Sequence, residues 1–146
     1  MFLVDTNVVS ESRKVRSGRA DPSVVDWLRS TAPSTTFISA MTLFELELGV
    51  RRTERRDADQ GRHLRHWLDE TVKPAFAGRV LAMDAETAAL CAKFHVPDPV
   101  SERDGWIAAT ALHHGLTLVT RNTADFDTTG VPLLNPWNAR GSARPR

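Results

Sequence analysis

The chain has 146 residues, 41% of them hydrophobic and 25% charged, with a formal net charge of +1. That balance excludes a disordered chain, and the length suits one α/β domain rather than two. So small a net charge neither demands nor excludes a nucleic-acid partner, and a single cysteine, Cys91, rules out an intrachain disulfide and fits a reducing cytosol.

Phe2-Leu3-Val4 is apolar at consecutive positions, as in a parallel strand covered on both faces, and Asp5 stands at its carboxyl end. Three apolar residues before a charge are too few for a signal-peptide core or a membrane span, so a cytoplasmic protein is expected. After a basic stretch, Asp21-Pro22 predicts a helix start with a capping carboxylate and a proline at the first helical position. Val24, Val25 and Leu28 give that helix its buried face, and Pro33 closes it. Thr35 to Ile38, β-branched and aromatic, predicts the second strand. Ser39 then caps a helix from Ala40 whose apolar positions, Met41 to Val50, are too many for one narrow stripe. Coverage on more than one side follows.

A basic run from Arg51 to Arg56 leads into a helical stretch with Leu64, Trp67 and Leu68, ended by Pro74. Val80 to Met83 predicts a third strand. Asp84 begins a helix that carries Cys91 among alanines, where a small buried thiol is expected. Beyond a loop with Pro97 and Pro99, Asp104 is expected to open a helix from Gly105 to His114, with Gly115 as its terminator. Leu116 to Thr120 predicts the fourth strand, Asn122 to Gly130 a polar loop containing Asp125, and Val131 to Leu134 a fifth strand. The domain is expected over residues 1–137, with a disordered basic tail over 138–146. Alternating strands and helices argue for a parallel sheet with right-handed crossovers, but leave the strand order open.

Four acids, Asp5, Glu45, Asp104 and Asp125, stand where strand-like and helix-like segments meet. Acids just beyond the carboxyl ends of parallel strands converge in one crevice, where open α/β sheets place their ligands. Close carboxylates repel and raise one another's pKa, so four together call for a shared proton or, better, a hard divalent cation. Each acid alone also fits an ordinary role: Asp104 as a helix cap, Asp125 as a turn residue, Glu45 paired with Arg51 or Arg52 on a solvated face.

Val4-Asp5-Thr6-Asn7, Thr42-Leu43-Phe44-Glu45-Leu46, Asp104-Gly105-Trp106-Ile107-Ala108-Ala109-Thr110-Ala111 and Thr120-Arg121-Asn122-Thr123-Ala124-Asp125-Phe126 resemble the four acidic motifs of the PIN-domain ribonucleases. Asp5 to Glu11 and Leu133 to Trp137 are most similar to toxins of the VapC and FitB type from bacterial toxin-antitoxin pairs. The resemblance implies a three-layer α/β/α fold on a five-stranded parallel sheet of order 3-2-1-4-5. It also implies an endoribonuclease dependent on Mg²⁺ or Mn²⁺, with Asp5, Glu45, Asp104 and Asp125 as catalytic acids. Asp5 and Asp104 would bind metal directly, and Glu45 and Asp125 directly or through water. Thr6, Asn7, Thr120 and Asn122 are of the kind that orient carboxylates, water or phosphate from behind the ligands. A homodimer and a small antitoxin partner are implied as well, with the helices around Met41 to Val50 and from Asp21 as walls of the groove holding the antitoxin.

Two other functions compete. A Rossmann-like metal-dependent phosphatase would also place an aspartate after the first strand, but would want a carboxylate where this chain has Asn7. A catalytically inactive module could keep the fold to bind RNA or protein. Arginine groups at Arg13 to Arg19, Arg51 to Arg56, Arg62 and Arg65, and Arg140 to Arg146 could neutralise phosphates along an RNA strand or form a solvated face. Glu11 could support the site or lie exposed. His63 with His66, and His113 with His114, form no convincing metal site.

Overall fold

The structure is a computed structural model that describes residues 1–138. The expected tail lies, save for Asn138, outside the described residues, as do Arg140, Arg144 and Arg146. In chain order the elements are β1 (Phe2–Val4), α1 (Thr6–Ser12), α2 (Pro22–Ser30), β2 (Thr36–Ser39), α3 (Ala40–Arg56), α4 (Ala58–Trp67), a π turn (Leu68–Val72), α5 (Lys73–Ala75), β3 (Val80–Leu81), α6 (Ala85–Lys93), α7 (Glu102–His113), β4 (Thr117–Val119) and β5 (Leu133–Leu134). The five strands run parallel in the order β3-β2-β1-β4-β5. The order implied by the resemblance is the order observed.

Leu3 and Leu118 face a core built with Met41, Ile107, Ala108, Ala111 and Phe126. Val4 and Val119 point to the opposite face, into a second core with Val8, Ile38, Leu46, Val50 and Leu68. Neighbouring strand residues are therefore buried on opposite sides, which is why these strands are apolar at every position. Helix α3 serves both layers, Met41 in one and Leu46 and Val50 in the other, as its surplus of apolar residues predicts. Phe44 escapes that coverage and is 48% exposed.

The predicted caps are largely in place. Asp21 accepts from the backbone N–H groups of Ser23 and Val24, Ser39 from Thr42 and Asp84 from Thr87. Gly115 ends α7 at φ +66, a left-handed conformation that glycine adopts without steric cost. Three details differ from the sequence reading. Helix α1 was not expected, because Val8 and Val9 are β-branched and read as neutral or strand-like. Strand β3 keeps only Val80 and Leu81, since it has a single neighbour to pair with. Helix α7 begins at Glu102 with Ser101 at its cap, so Asp104 lies inside the first turn and does not open the helix.

Candidate active site

The register of the two central strands builds the site. Val4 pairs with Val119, and the Asp5 N–H continues the ladder by donating to the Val119 carbonyl at 2.9 Å. Asp5 and Thr120 therefore sit side by side, one residue beyond the carboxyl ends of β1 and β4. The Thr120 hydroxyl donates to Asp5 Oδ2 at 2.8 Å, and the Thr6 N–H to Asp5 Oδ1 at 2.8 Å. Asp5 is 6% exposed and Thr120 fully buried. Each carboxylate oxygen of Asp5 thus has a close partner behind it, and Oδ1 keeps lone-pair capacity left over.

Asp5, Thr6, Asn7, Glu45, Asp104 and Asn122 line one pocket of about 280 Å³. Glu45 reaches it from the second turn of α3, where Thr6 Oγ1 donates to Glu45 Oε1 at 2.5 Å. Asp104 reaches it from the first turn of α7. Gly105, next to it, lets α7 close on α6: a Cβ there would stand 2.9 Å from His95 Nε2 and 3.1 Å from Cys91 Sγ. Asp125 lies exposed in a short 3-10 turn (Thr123–Phe126) after β4, outside the pocket lining. Its charge still acts on both Asp5 and Asp104.

The electrostatics follow from that crowding. Burial raises the Asp5 pKa, the hydrogen bonds from Thr120 and Thr6 draw it down, and the charges of Glu45 and Asp125 raise it again. Asp104 is pushed from 3.8 to about 6, first by burial and then by Asp5, Asp125 and Glu45. Asp125 stands in a turn, the ordinary role weighed for it, whereas the ordinary roles of Asp104 and Glu45 are not the ones seen. Asp104 caps nothing, and Glu45 is 3.7 Å from Arg103, while Arg51 turns to Glu47.

The donor set is oxygen only, the chemistry of a hard divalent cation. Among the described residues, no three His, Cys, Asp or Glu side chains are grouped closely enough to form a metal site as they stand. Geometry and electrostatics thus differ: the acids surround the pocket and destabilise one another's charge, yet do not converge on a point. Thr6 and Arg103 hold Glu45 on its own side of the pocket. The residues fit a cation that draws them inward.

A sequence profile of the family described as PIN domain matches residues 2–131. The chain belongs to the PIN-domain family. It is 38% identical over 144 residues to the protein named toxin FitB of Neisseria gonorrhoeae, covering 94% of this chain and 99% of that one. To a VapC ribonuclease of Sinorhizobium fredii it is 36% identical over 145 residues, covering 94% and 98%. Among solved structures, the FitAcB crystal structure from Neisseria gonorrhoeae superposes with a TM-score of 0.85 at 35% identity, covering 95% of this chain and 100% of that one. A toxin-antitoxin complex from Klebsiella pneumoniae gives a TM-score of 0.64 at 26% identity, covering 93% and 98%.

Within this PIN domain the polar residues around Asp5 form a brace. Asn7 Nδ2 donates to Asp5 Oδ2 at 3.4 Å and to Thr120 Oγ1 at 3.3 Å, while Asn7 Oδ1 accepts from the Arg121 N–H at 3.2 Å. The Asn122 N–H donates to Thr120 Oγ1 at 3.1 Å. Asn7 is thus a bridge between the loops after β1 and β4, a use that a phosphatase's acid-base residue could not share. Glu11 supports no part of the pocket and is not exposed. It is 9% exposed, and its carboxylate accepts from the Asp21 N–H at 2.8 Å and meets Lys14 Nζ at 3.2 Å, pinning the start of α2. Cys91 is buried as expected, and burial raises its thiol pKa.

Proposed function

We propose that this PIN domain, residues 1–137, is a metal-dependent endoribonuclease and the toxin of a VapBC-like pair. The observation that carries the reading is the shared pocket of Asp5, Glu45 and Asp104, in which the charge of Glu45 raises the pKa of both Asp5 and Asp104. Asp5 and Asp104 would hold Mg²⁺ or Mn²⁺, with Glu45 and Asp125 acting directly or through water. The bound ion would lower the pKa of a water and neutralise charge on the phosphodiester. Thr120 and the Thr6 N–H fix the plane of the Asp5 carboxylate, so its free lone pairs face the pocket. Thr6 Oγ1 does the same for Glu45. Asn7 holds the loop after β4 against the loop after β1, and the Asn122 N–H steadies the Thr120 hydroxyl behind Asp5.

An antitoxin partner accords with the relatives and with a groove of about 240 Å³ beside the pocket, whose lining includes Ser10, Leu46, Val50 and Trp67. Thr6 and Glu45 line both, so a segment lying in the groove ends at the acids. The second expected wall, α2, faces a separate apolar cavity of about 110 Å³ lined by Trp27, Leu28, Val8 and Trp67. A homodimer is part of the proposal, supported by Val80 and Met83 left 39% and 40% exposed at the sheet edge. Among the described residues, no helix is long and apolar enough to cross a membrane.

The test is incubation of the purified chain with RNA and, separately, with a phosphomonoester, each with Mg²⁺ or Mn²⁺ and with excess chelator. Internal cleavage of RNA that needs the metal and is lost in Asp5→Asn is expected. Undiminished cleavage by well-purified Asp5→Asn protein would overturn the site, and metal-dependent release of phosphate from the monoester alone would favour the phosphatase.

A further inference from the structure

Three arginines lie with their guanidinium carbons 5.3 Å from an aromatic centroid: Arg79 over Phe76, Arg103 over Phe44 and Arg121 over Trp137. Arg79 is explained by the fold. Its guanidinium donates to the carbonyls of Pro33, Thr36 and Ala75 and ties β2 to the loop before β3. The other two spend nothing of the kind. Among the described residues, neither the Arg103 nor the Arg121 guanidinium makes a hydrogen bond. Among the described residues, Arg103 has a single loose ion pair, with Glu45 at 3.7 Å, and Arg121 makes none.

Both lie at the acid pocket. Arg103 precedes Asp104, and Phe44 precedes Glu45. Arg121 stands between Thr120 and Asn122, its own N–H bonded to pocket-lining Asn7. Arg103 stands in the first turn of α7 against Phe44 of α3, and Arg121 and Trp137 lie in the segments after β4 and β5. An anionic pocket attracts cations, but attraction alone would pull each guanidinium onto a carboxylate. Stacking on a ring does something different. It fixes the plane of the guanidinium, lowers the entropy lost on binding, and leaves the edge of N–H donors open to a bidentate acceptor. Of the arginines picked out in the sequence, Arg65 is committed to Glu47, Glu54 and Asp69 and Arg62 to Asp59, while Arg51 lies 3.9 Å from Glu47.

Resting on the nuclease reading, we infer that Arg103 and Arg121 are positioning residues that grip phosphates of a single RNA strand and seat it across the acids. An RNA phosphodiester supplies the bidentate anionic edge that these two guanidinium groups are free to meet. Phe44, half exposed beside Arg103, offers a base a surface on which to stack. A strand passing over the pocket must bring its phosphate among Asp5, Glu45 and Asp104. Two cations on the rim offset that repulsion without entering the pocket.

The experiment measures binding of a short single-stranded RNA in Mg²⁺ over a range of salt, in the full chain carrying Asp104→Asn so that the RNA stays whole. Turnover is measured in the otherwise native chain. Arg103→Ala and Arg121→Ala should each weaken binding about tenfold and lower the slope of log affinity against log salt by about 0.7, the value for one phosphate contact on a single strand. In turnover, KM should rise far more than kcat falls. Arg103→Lys and Arg121→Lys should restore the slope, and Arg16→Ala, an exposed arginine elsewhere, should change neither measure. Thermal midpoints of all variants should stay close to the parent's, because each arginine gives up one ring contact and, for Arg103, a 3.7 Å ion pair, but no hydrogen bond to the fold. Metal-dependent RNA cleavage with an unchanged slope and KM in the double alanine variant would overturn this inference and leave the nuclease standing. Salt-sensitive RNA binding that depends on both arginines, with no cleavage by the native chain, would support the inference and sink the nuclease reading.

Discussion

Replacing Asp104 with Asn in metal-free protein is expected to stabilise the fold at neutral pH while removing nuclease activity. The Asp104 carboxyl titrates near 6 in the folded chain against 3.8 for a free aspartate, mainly through burial and then through Asp5, Asp125 and Glu45. A raised carboxyl pKa means that the folded state binds the proton more tightly than the unfolded state. The penalty is therefore absent below about pH 3.8, grows as the pH rises towards 6, and is fully present above that. A displacement of about two pH units corresponds to roughly 3 kcal/mol, and partial solvent access at Asp104 screens this to about 1–2 kcal/mol. For a domain of this length the unfolding entropy is about 0.3 kcal/mol per kelvin, so Asp104→Asn should melt about 3–6 °C above the native chain at pH 7.5 in chelator. Thermal unfolding followed by circular dichroism between pH 4 and pH 8 is the assay. The gap should close towards pH 4, where both side chains are neutral. Adding Mg²⁺ should raise the midpoint of the native chain and move the variant far less, since the ion stabilises only the protein that binds it. A variant no more stable than the native chain at pH 7.5, or a gap that persists unchanged at pH 4, would refute the charge-crowding argument.

Thr120→Val should cost about 1–2 kcal/mol, because it leaves a buried carboxylate oxygen of Asp5 with one donor fewer, and should lower kcat with little loss of RNA binding; denaturant unfolding and steady-state kinetics check the two parts. Gly61→Ala should destabilise by about 1–3 kcal/mol, since its Cβ would stand 2.5 Å from the Glu54 Cα where α4 packs on α3. Gly49→Ala, with nothing within 4 Å, should instead stabilise α3 by about 0.5–1 kcal/mol in the same measurement. Co-expression with the product of an adjacent small reading frame should yield a complex without RNase activity, whose inhibition weakens as Mg²⁺ rises if a basic side chain of the partner sits among the acids. Full activity in a saturated, tightly bound complex would exclude such blocking. Light scattering at high micromolar concentration should return the mass of a dimer, and a monomer mass would remove the proposed homodimer.

Much of this protein is written in local pattern. Strand and helix types, the caps at Asp21, Ser39 and Asp84, and the glycine stop at Gly115 depend on a few neighbouring residues, so the sequence alone determines them. The four acids could be picked out because their motifs stand in the order of one family, although Glu45 lies within the second turn of α3 rather than at a boundary between elements. What the sequence could not settle is everything that depends on residues far apart in the chain. The hydrogen bond from Thr120 to Asp5 spans 115 positions and exists only because Val4 and Val119 are in register. Asp104 was assigned a capping place that Ser101 occupies, since a one-turn difference in a helix start is decided by packing on α6 rather than by local preference. Glu11, which could have been surface or site, is turned by the tertiary fold onto the start of α2. Composition likewise pointed to runs of arginine, whereas the folded chain neutralises several of these with nearby acids and leaves Arg103 and Arg121 unspent on their rings. A run of charge is a property of the sequence, but whether a charge is free is decided by what the fold brings beside it.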